Sequence, residues 1–524
     1  MPMTAEVMPG AMQDFPLTLD RFLTHAGKWH PHAEVVAATP DGSVQRIGYA
    51  ELERRSRAIS AALIAKGIGL GDHVATLAWN SRAHVETWYA IMGIGAVCHT
   101  LNPRLTPAQL ADMLDQSQAR IMVVSADLVP LAQAAAALLD HPPALLAIDG
   151  PAAVDALDTL VEPGASAIWG GFDERMPSGL CFTSGTTGRP KGVTYTHRAC
   201  FLHTLRSLQA DVMAITAADR VLAAVPMFHA NAWGLPFAVP AVGATLVLPG
   251  RTTDGASLAR LIAAEGVTIA VGVPTVWLGL VEHLDSVGGE VPSLKRIIVG
   301  GAPMPPALME RLERRLGVTV QTSWGMTELS PAGTFAPPGD ADRQAASSGR
   351  PAIGIDLLLT DADGVALPEQ REVEGHLQVR GAAVVDRYFG HAAPATDAAG
   401  WFATGDLARI GRDGSLFITG RAKDLIKSGG EWINPAEIEG VVGALPQVSM
   451  AAVIGRSDVK WGERPILVVE LRDGEDIRDE ALLATLRGRV APWWIPDAVV
   501  RLPAMPLAAT GKIDKLRLRA EHGQ

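Results

Sequence analysis

Ten consecutive residues, Thr183-Ser184-Gly185-Thr186-Thr187-Gly188-Arg189-Pro190-Lys191-Gly192, carry four hydroxyls, three glycines and two cations. Donor side chains on a backbone with little bulk suit a cradle for phosphate oxygens. Apolar residues from Leu180 to Phe182 precede the stretch and Val193-Thr194-Tyr195-Thr196 follows it. It therefore reads as a hairpin-like loop between two strands. Lys191 is followed by Gly192 rather than by Ser or Thr, and no helix pattern begins there, so this is not a Walker loop. An ordinary Ser/Thr/Gly surface loop would have the same composition.

Other stretches offer complementary chemistry. Gly300-Gly301-Ala302-Pro303 closes a strand without side-chain bulk, so a flat ring could approach the backbone. In Trp324-Gly325-Met326-Thr327-Glu328, a ring beside a glycine can stack on adenine, the Thr327 hydroxyl can touch an α-phosphate and Glu328 can hold a metal. Mg²⁺ prefers carboxylate, phosphate and water oxygens, which makes Glu328 with Thr186 a reasonable pair. A helix start capped by Thr327 is the plainer alternative. Asp406, after Gly405 in an apolar setting, suits two ribose hydroxyls, and Arg421 fifteen residues on could complete the grip. Pro226-Met227-Phe228-His229-Ala230-Asn231-Ala232-Trp233-Gly234 is either core packing with one satisfied histidine or a wall between a nucleotide site and an apolar channel.

Several elements must position these groups. Alternating strands (Val74 to Ala78, Ile121 to Val124, Leu145 to Ile148, Val221 to Val225, Thr245 to Leu248, Thr268 to Val271, Arg296 to Val299, Val318 to Thr322) and helical patterns predict parallel sheets covered by helices. Ser81 caps a predicted helix, and helices are expected at Pro107 to Gln116, Leu128 to Leu139, Leu258 to Glu265 and Pro306 to Leu316. From Pro351 to Arg380 short strands with Asp/Gly turns form a smaller β unit, and Asp413-Gly414 marks a hairpin. The last hundred residues read as a separate αβ module, with helices at Pro435 to Val442 and Glu480 to Val490 and strands at Ala451 to Ile454 and Ile466 to Leu471. The boundary is set near Gly420, giving units 1–420 and 421–524.

A chain of 524 residues is too long for one core. Its 48% hydrophobic and 19% charged composition is that of a packed globular protein. The formal net charge of −11 argues against a general nucleic-acid binder, while a nucleotide ligand needs only a few local cations. Three cysteines (Cys98, Cys181, Cys200) without a CxxC pair fit a reducing cytoplasm. The N-terminus lacks a signal-peptide pattern, and no apolar run reaches the roughly 18 residues of an integral membrane segment.

Taken together and in order, these motifs resemble the adenylate-forming enzymes, which include acyl-CoA synthetases, luciferases and peptide-synthetase adenylation domains. The resemblance runs from about Phe15 to Leu516. It implies an α/β fold: a large N-terminal domain of layered α/β subdomains with a β subdomain, and a small mobile C-terminal α+β domain over the cleft. It implies the 183–192 loop as phosphate site, His229 near the carboxylate, Asp406 with Arg421 as the ribose pair, and Lys423 as the hinge. Lys427, Gly429, Gly430, Glu431 and Trp432 resemble the surface brought in for thioester formation, where bare backbone would let a pantetheine thiol pass. Lys512, in Thr510-Gly511-Lys512-Ile513, matches the family's catalytic lysine, although a lone lysine in a late Gly turn reads by itself as solvated. The family usually has Tyr where this chain has Trp324: stacking survives that change, a phenol hydrogen bond does not.

The expected substrates are a small-molecule carboxylate, ATP and coenzyme A, with Mg²⁺. Trp233, which resembles the gate of an acyl tunnel, and the Ser428 to Trp432 string most resemble medium- to long-chain fatty acyl-CoA synthetases. The branch acting on 3-(methylthio)propanoate has a similar pattern, so a short-chain acyl-CoA ligase is the alternative. An adenylating enzyme that does not use coenzyme A is the more distant one. Oligomeric state is left open, a homodimer being suggested by analogy alone.

Overall fold

The computed structural model describes residues 12–183, 189–341, 343–429, 431–508 and 512–523. Among these, the strands fall into four sheets. A six-stranded sheet is built from His73–Leu77, Val97–Thr100, Ile121–Ser125 and Ala144–Ile148 with the pair Pro177–Phe182 and Gly192–Thr196. Its strands run parallel except for that last pair, which is antiparallel and brackets the phosphate-type loop as the sequence predicts. A nine-stranded sheet has a parallel centre that includes Arg220–Ala223, Ile269–Gly272, Arg296–Val299 and Thr319–Gly325. Strands such as Arg296–Val299 are short runs of β-branched residues and are buried on both faces, as parallel strands under helices must be.

The helices begin and end where local chemistry dictates. Ser81 accepts from the His84 N–H ahead of Arg82–Gly93. Thr106 and Gln109 cap each other reciprocally, with Pro107 at the first position of Pro107–Ser117. Two expectations need amendment. The C-terminal helix forms only over Asp479–Ala484, because Gly488 takes a left-handed turn (φ 72°) and Pro492 follows. Buried helices at His197–Ser207 and Pro274–Val287 were not singled out, the first because its polar residues mask the periodicity.

Phe402–Ile410 and Leu416–Arg421 close a four-stranded antiparallel sheet with Ile355–Thr360 and Glu374–Gly381. From Ile426 onward the strands make a sheet of their own, with its own apolar core around Ile433, Ile438, Val453 and Leu467.

Asn80 ties the two large sheets together. It follows His73–Leu77 of one sheet, and its amide Nδ2 donates to the Ala223 and Val225 carbonyls beside the other, at 3.0 and 2.8 Å. Its Oδ1 accepts from the Met227 N–H at 2.7 Å, fixing the start of the segment that leads to His229. Asn80→Ala should leave three buried backbone groups unpaired. Since each such group costs roughly 1–3 kcal/mol, the denaturation midpoint should fall well beyond the effect of a surface alanine. A midpoint within error of wild type would show that the bridge carries no stability.

Candidate active site

Asp406 and Arg421 face each other on neighbouring strands. Arg421 Nε lies 2.6 Å from Asp406 Oδ1, and the Trp324 indole N–H donates to Oδ2 at 2.9 Å. The Asp406 backbone N–H is held by the Thr404 hydroxyl. The carboxylate is almost fully buried. Burial pushes its pKa up, opposed first by Arg421 and then by Trp324, Lys512 and Lys423. Trp324 itself is buried, its ring against Gly333, where a Cβ would come within 2.8 Å. The sequence comparison gave this ring stacking and no polar contact. Its indole N–H instead takes a fixed place on the carboxylate that the sequence assigns to ribose.

Glu328 follows Thr327 in a short 3₁₀ turn after the strand Thr319–Gly325. It is buried, and Tyr388 donates its hydroxyl to Oε1 at 2.9 Å. Burial raises the carboxyl pKa, countered by Tyr388, Arg421 and Lys191. The Lys191 ammonium lies 4.7 Å from the centre of the Tyr388 ring. Tyr195 anchors the same turn, its hydroxyl donating to the Thr327 carbonyl at 2.8 Å. A buried carboxylate is a hard donor suited to Mg²⁺, and nearby cations temper its charge. Thr183 joins Lys191 through a backbone hydrogen bond. Ser184, Gly185, Thr186, Thr187 and Gly188 lie outside the described residues, as does Gly430.

His229 opens a turn with an unusual backbone. Ala230, Asn231, Ala232 and Trp233 all have positive φ (44°, 51°, 46° and 55°), and Gly234 follows at 78°. Left-handed geometry costs a residue other than Gly or Asn roughly 1–2 kcal/mol, so Ala230, Ala232 and Trp233 together store about 3–6 kcal/mol. Burial of Ala230, Asn231 and Ala232 and the Cys181 Sγ–Asn231 Oδ1 contact at 3.3 Å hold it. The turn lays the Trp233 indole against Gly300, where a Cβ would come within 2.9 Å of the ring, and near Gly301. Burial holds the His229 pKa down to about 4, with Lys512 adding to the effect.

The Lys512 carbonyl accepts from the Ala508 N–H. Water reaches its side chain, yet its pKa is lowered, first by loss of hydration among surrounding protein and then by Arg421 and Lys423, with Asp406 opposing. Arg421, Lys423, Asp406 and His229 are the charged and titratable groups whose fields meet the Lys512 ammonium. Lys423, in the short turn Ala422–Asp424, shares that field.

The structure thus gathers Trp324, Asp406, Arg421, Lys423, Lys512 and His229 in one electrostatic neighbourhood, with Glu328, Thr327, Gly325 and Lys191 adjoining. Lys427, Gly429, Glu431 and Trp432 lie instead on an exposed hairpin. Lys427 covers the Trp432 ring, and the Gly429 N–H donates to the Trp461 carbonyl. Among the described residues none of these four bonds to the Asp406–Glu328 cluster. Tyr388 and Tyr195 were missed by the sequence reading. With only four tyrosines in the chain, their rarity was the one available cue.

Residues 23–389 match the family model described as AMP-binding enzyme, and residues 437–512 match that of the AMP-binding enzyme C-terminal domain. The chain is 41% identical to a 3-methylmercaptopropionyl-CoA ligase from Ruegeria lacuscaerulensis, over 98% of this chain and 99% of the relative. It is 38% identical to a medium-chain-fatty-acid–CoA ligase from Ectopseudomonas oleovorans, over 98% of each. It superposes with a TM-score of 0.83 on an o-succinylbenzoate-CoA synthetase from Bacillus subtilis solved with its acyl-adenylate intermediate. That likeness is at 27% identity and covers 98% of this chain and 99% of that one.

Trp324→Phe should keep the ring and lose the Asp406 bond. A hydrogen bond to a charged group contributes about 1.5–3 kcal/mol, so AMP binding by calorimetry should weaken on the order of tenfold or more. Unchanged affinity would show that Trp324 only fills space.

Proposed function

This chain belongs to the AMP-binding enzyme family, and within it we propose an ATP-dependent carboxylate–CoA ligase that works through an acyl-AMP intermediate and releases pyrophosphate. What carries the reading is the convergence of Lys512, the Asp406–Arg421 pair and the buried Glu328 on one cleft.

In the first half-reaction the substrate carboxylate attacks the α-phosphate of ATP. Asp406 and Arg421 hold the ribose, Trp324 stacks on adenine, and the 183–192 loop with Lys191 holds the phosphates. Mg²⁺, on Glu328 and the Thr186 hydroxyl, supplies charge neutralisation at the phosphate oxygens when bound. Lys512 brings its ammonium to carboxylate and α-phosphate oxygens as charge builds, an electrostatic and positioning role. A neutral His229 adds no competing cation beside it.

In the second half-reaction the unit 421–524 turns about Lys423 relative to 1–420. This withdraws Lys512 and presents the Lys427 to Trp432 face. The coenzyme A thiol then attacks the acyl carbonyl, and AMP leaves. The three cysteines are buried and unpaired, and burial raises their thiol pKa values, so none serves as nucleophile.

The acyl substrate under this proposal is a medium- to long-chain fatty acid passing the Trp233 gate. The 41% identity to a ligase of a short thioether acid supports the second reading, 3-(methylthio)propanoate or another short acid. A cytoplasmic location and a homodimer belong to the same proposal; sedimentation checks the latter.

Lys512→Ala should slow pyrophosphate release by more than about 100-fold while sparing thioester formation from supplied acyl-AMP. Loss of both steps would overturn this division of labour. Pyrophosphate and thioester should also be followed together across saturated acids from short to long, with 3-(methylthio)propanoate included. A peak at medium or long chains supports the first reading and one at short or sulfur-containing acids the second. Pyrophosphate without thioester would remove coenzyme A from the reaction.

A further inference from the structure

Tyr388 touches two groups to which the phosphate chemistry has been assigned, and the mechanism above does not use it. Its hydroxyl donates to Glu328 Oε1 at 2.9 Å, and the Lys191 ammonium lies over its ring, 4.7 Å from the centre. The backbone on either side repeats the connection. The Val385 N–H donates to the Glu328 carbonyl at 2.8 Å, and the Phe389 N–H donates to the Gly192 carbonyl at 2.7 Å. At Gly192 the approach is close, since a Cβ there would come within 2.9 Å of the Phe389 Cβ. The stretch 385–389 is therefore a strap between the Glu328 turn and the end of the 183–192 loop.

A second tyrosine shows what a purely structural link looks like here. Tyr195, on the strand Gly192–Thr196, is fully buried and reaches only the backbone carbonyl of Thr327. Tyr388 differs on both counts. It is only partly buried, it contacts two ionisable side chains, and together with Lys191 it lines a cavity of about 360 Å³. A carboxylate can turn about the bond that carries it, and a phenol on one oxygen fixes its plane. Hydrogen bonds of this kind to a metal-ligating carboxylate typically change metal affinity by roughly 10–100-fold. An ammonium over an aromatic face keeps its charge while its position is narrowed.

We propose that Tyr388 is a positioning residue with two separable parts: its hydroxyl orients the Glu328 carboxylate for Mg²⁺, and its ring holds Lys191 ready for the phosphates of ATP. The first part rests on the placement of Mg²⁺ at Glu328 put forward above. The two parts act on different partners. Removing the hydroxyl alone disturbs the metal, and removing the ring as well disturbs the lysine.

The test measures ATP binding to the full chain by calorimetry, once in EDTA and once across a Mg²⁺ titration, without carboxylate or coenzyme A. Tyr388→Phe should bind metal-free ATP as the wild type does and need about tenfold more Mg²⁺ for its half-maximal effect. Tyr388→Leu should show the same Mg²⁺ requirement and also lose about two- to fivefold in metal-free affinity. General loosening of the site would instead weaken metal-free binding in Tyr388→Phe too, and that result overturns the proposal. Glu328→Gln separates the layers. If it raises the Mg²⁺ requirement and Tyr388→Phe does not, the inference about Tyr388 fails alone. If Glu328→Gln leaves the requirement unchanged, the placement of the metal fails with it. Equal metal-free affinities of Tyr388→Phe and Tyr388→Leu would overturn the part assigned to the ring. Where Tyr388→Leu does not fold, Tyr388→Phe still decides, because only separable parts leave its metal-free binding intact while its Mg²⁺ requirement rises.

Discussion

Everything in the cleft is referred to one buried carboxylate. Arg421 is the first group to oppose the upward push that burial gives the Asp406 pKa, and it ends the strand that leads to the Ala422–Asp424 turn. The indole of Trp324 brings the nine-stranded sheet to the same atoms. One ion pair with one added donor therefore fixes the relation between a parallel sheet, an antiparallel sheet and the connection to the last sheet. With Asp406 buried and the Arg421 side chain 41% exposed, desolvation of the carboxylate offsets much of the Coulomb attraction, and the pair is more effective as a geometric reference than as a source of stability.

The two faces of the C-terminal unit are in different environments. Lys512 lies in the cleft, where the Asp406 field reaches it. The Ile426–Ser428 and Glu431–Ile433 hairpin points its Trp432 into solvent, 54% exposed. The proposed swing of the unit 421–524 would exchange these two surfaces at one centre.

Much of the parallel fold could be read from the sequence, because short β-branched runs between capped helices leave few alternatives. Arg296–Val299 and Pro306–Leu316 lie where periodicity places them. The site motifs stand out because each is a contiguous stretch at a strand end or in a glycine turn, and the structure brings Trp324, Asp406, Arg421 and Lys512 of them together. Solitary side chains acting across long sequence separations could not. Asn80 meets Val225 across 145 positions, Tyr388 meets Glu328 across 60, and Arg206 meets Ala332 across 126. No local pattern encodes such meetings. Trp324 shows a subtler limit: the residue type was visible, but the direction of its N–H depends on a strand 82 residues away. The shortened helix at Asp479–Ala484 failed for an ordinary reason, a glycine whose left-handed turn outweighed the apolar spacing.

The left-handed turn from Ala230 to Trp233 makes the pocket wall behave like a cocked spring. Its backbone is held in an unfavourable winding by packing around it, so the same packing that seats the indole also resists its release. Such a segment has a short route to a lower-energy winding that leaves the sheets behind it intact, because stability in a folded chain is distributed unevenly. How firmly the indole rests on Gly300 is then a matter of how tightly this one turn is latched.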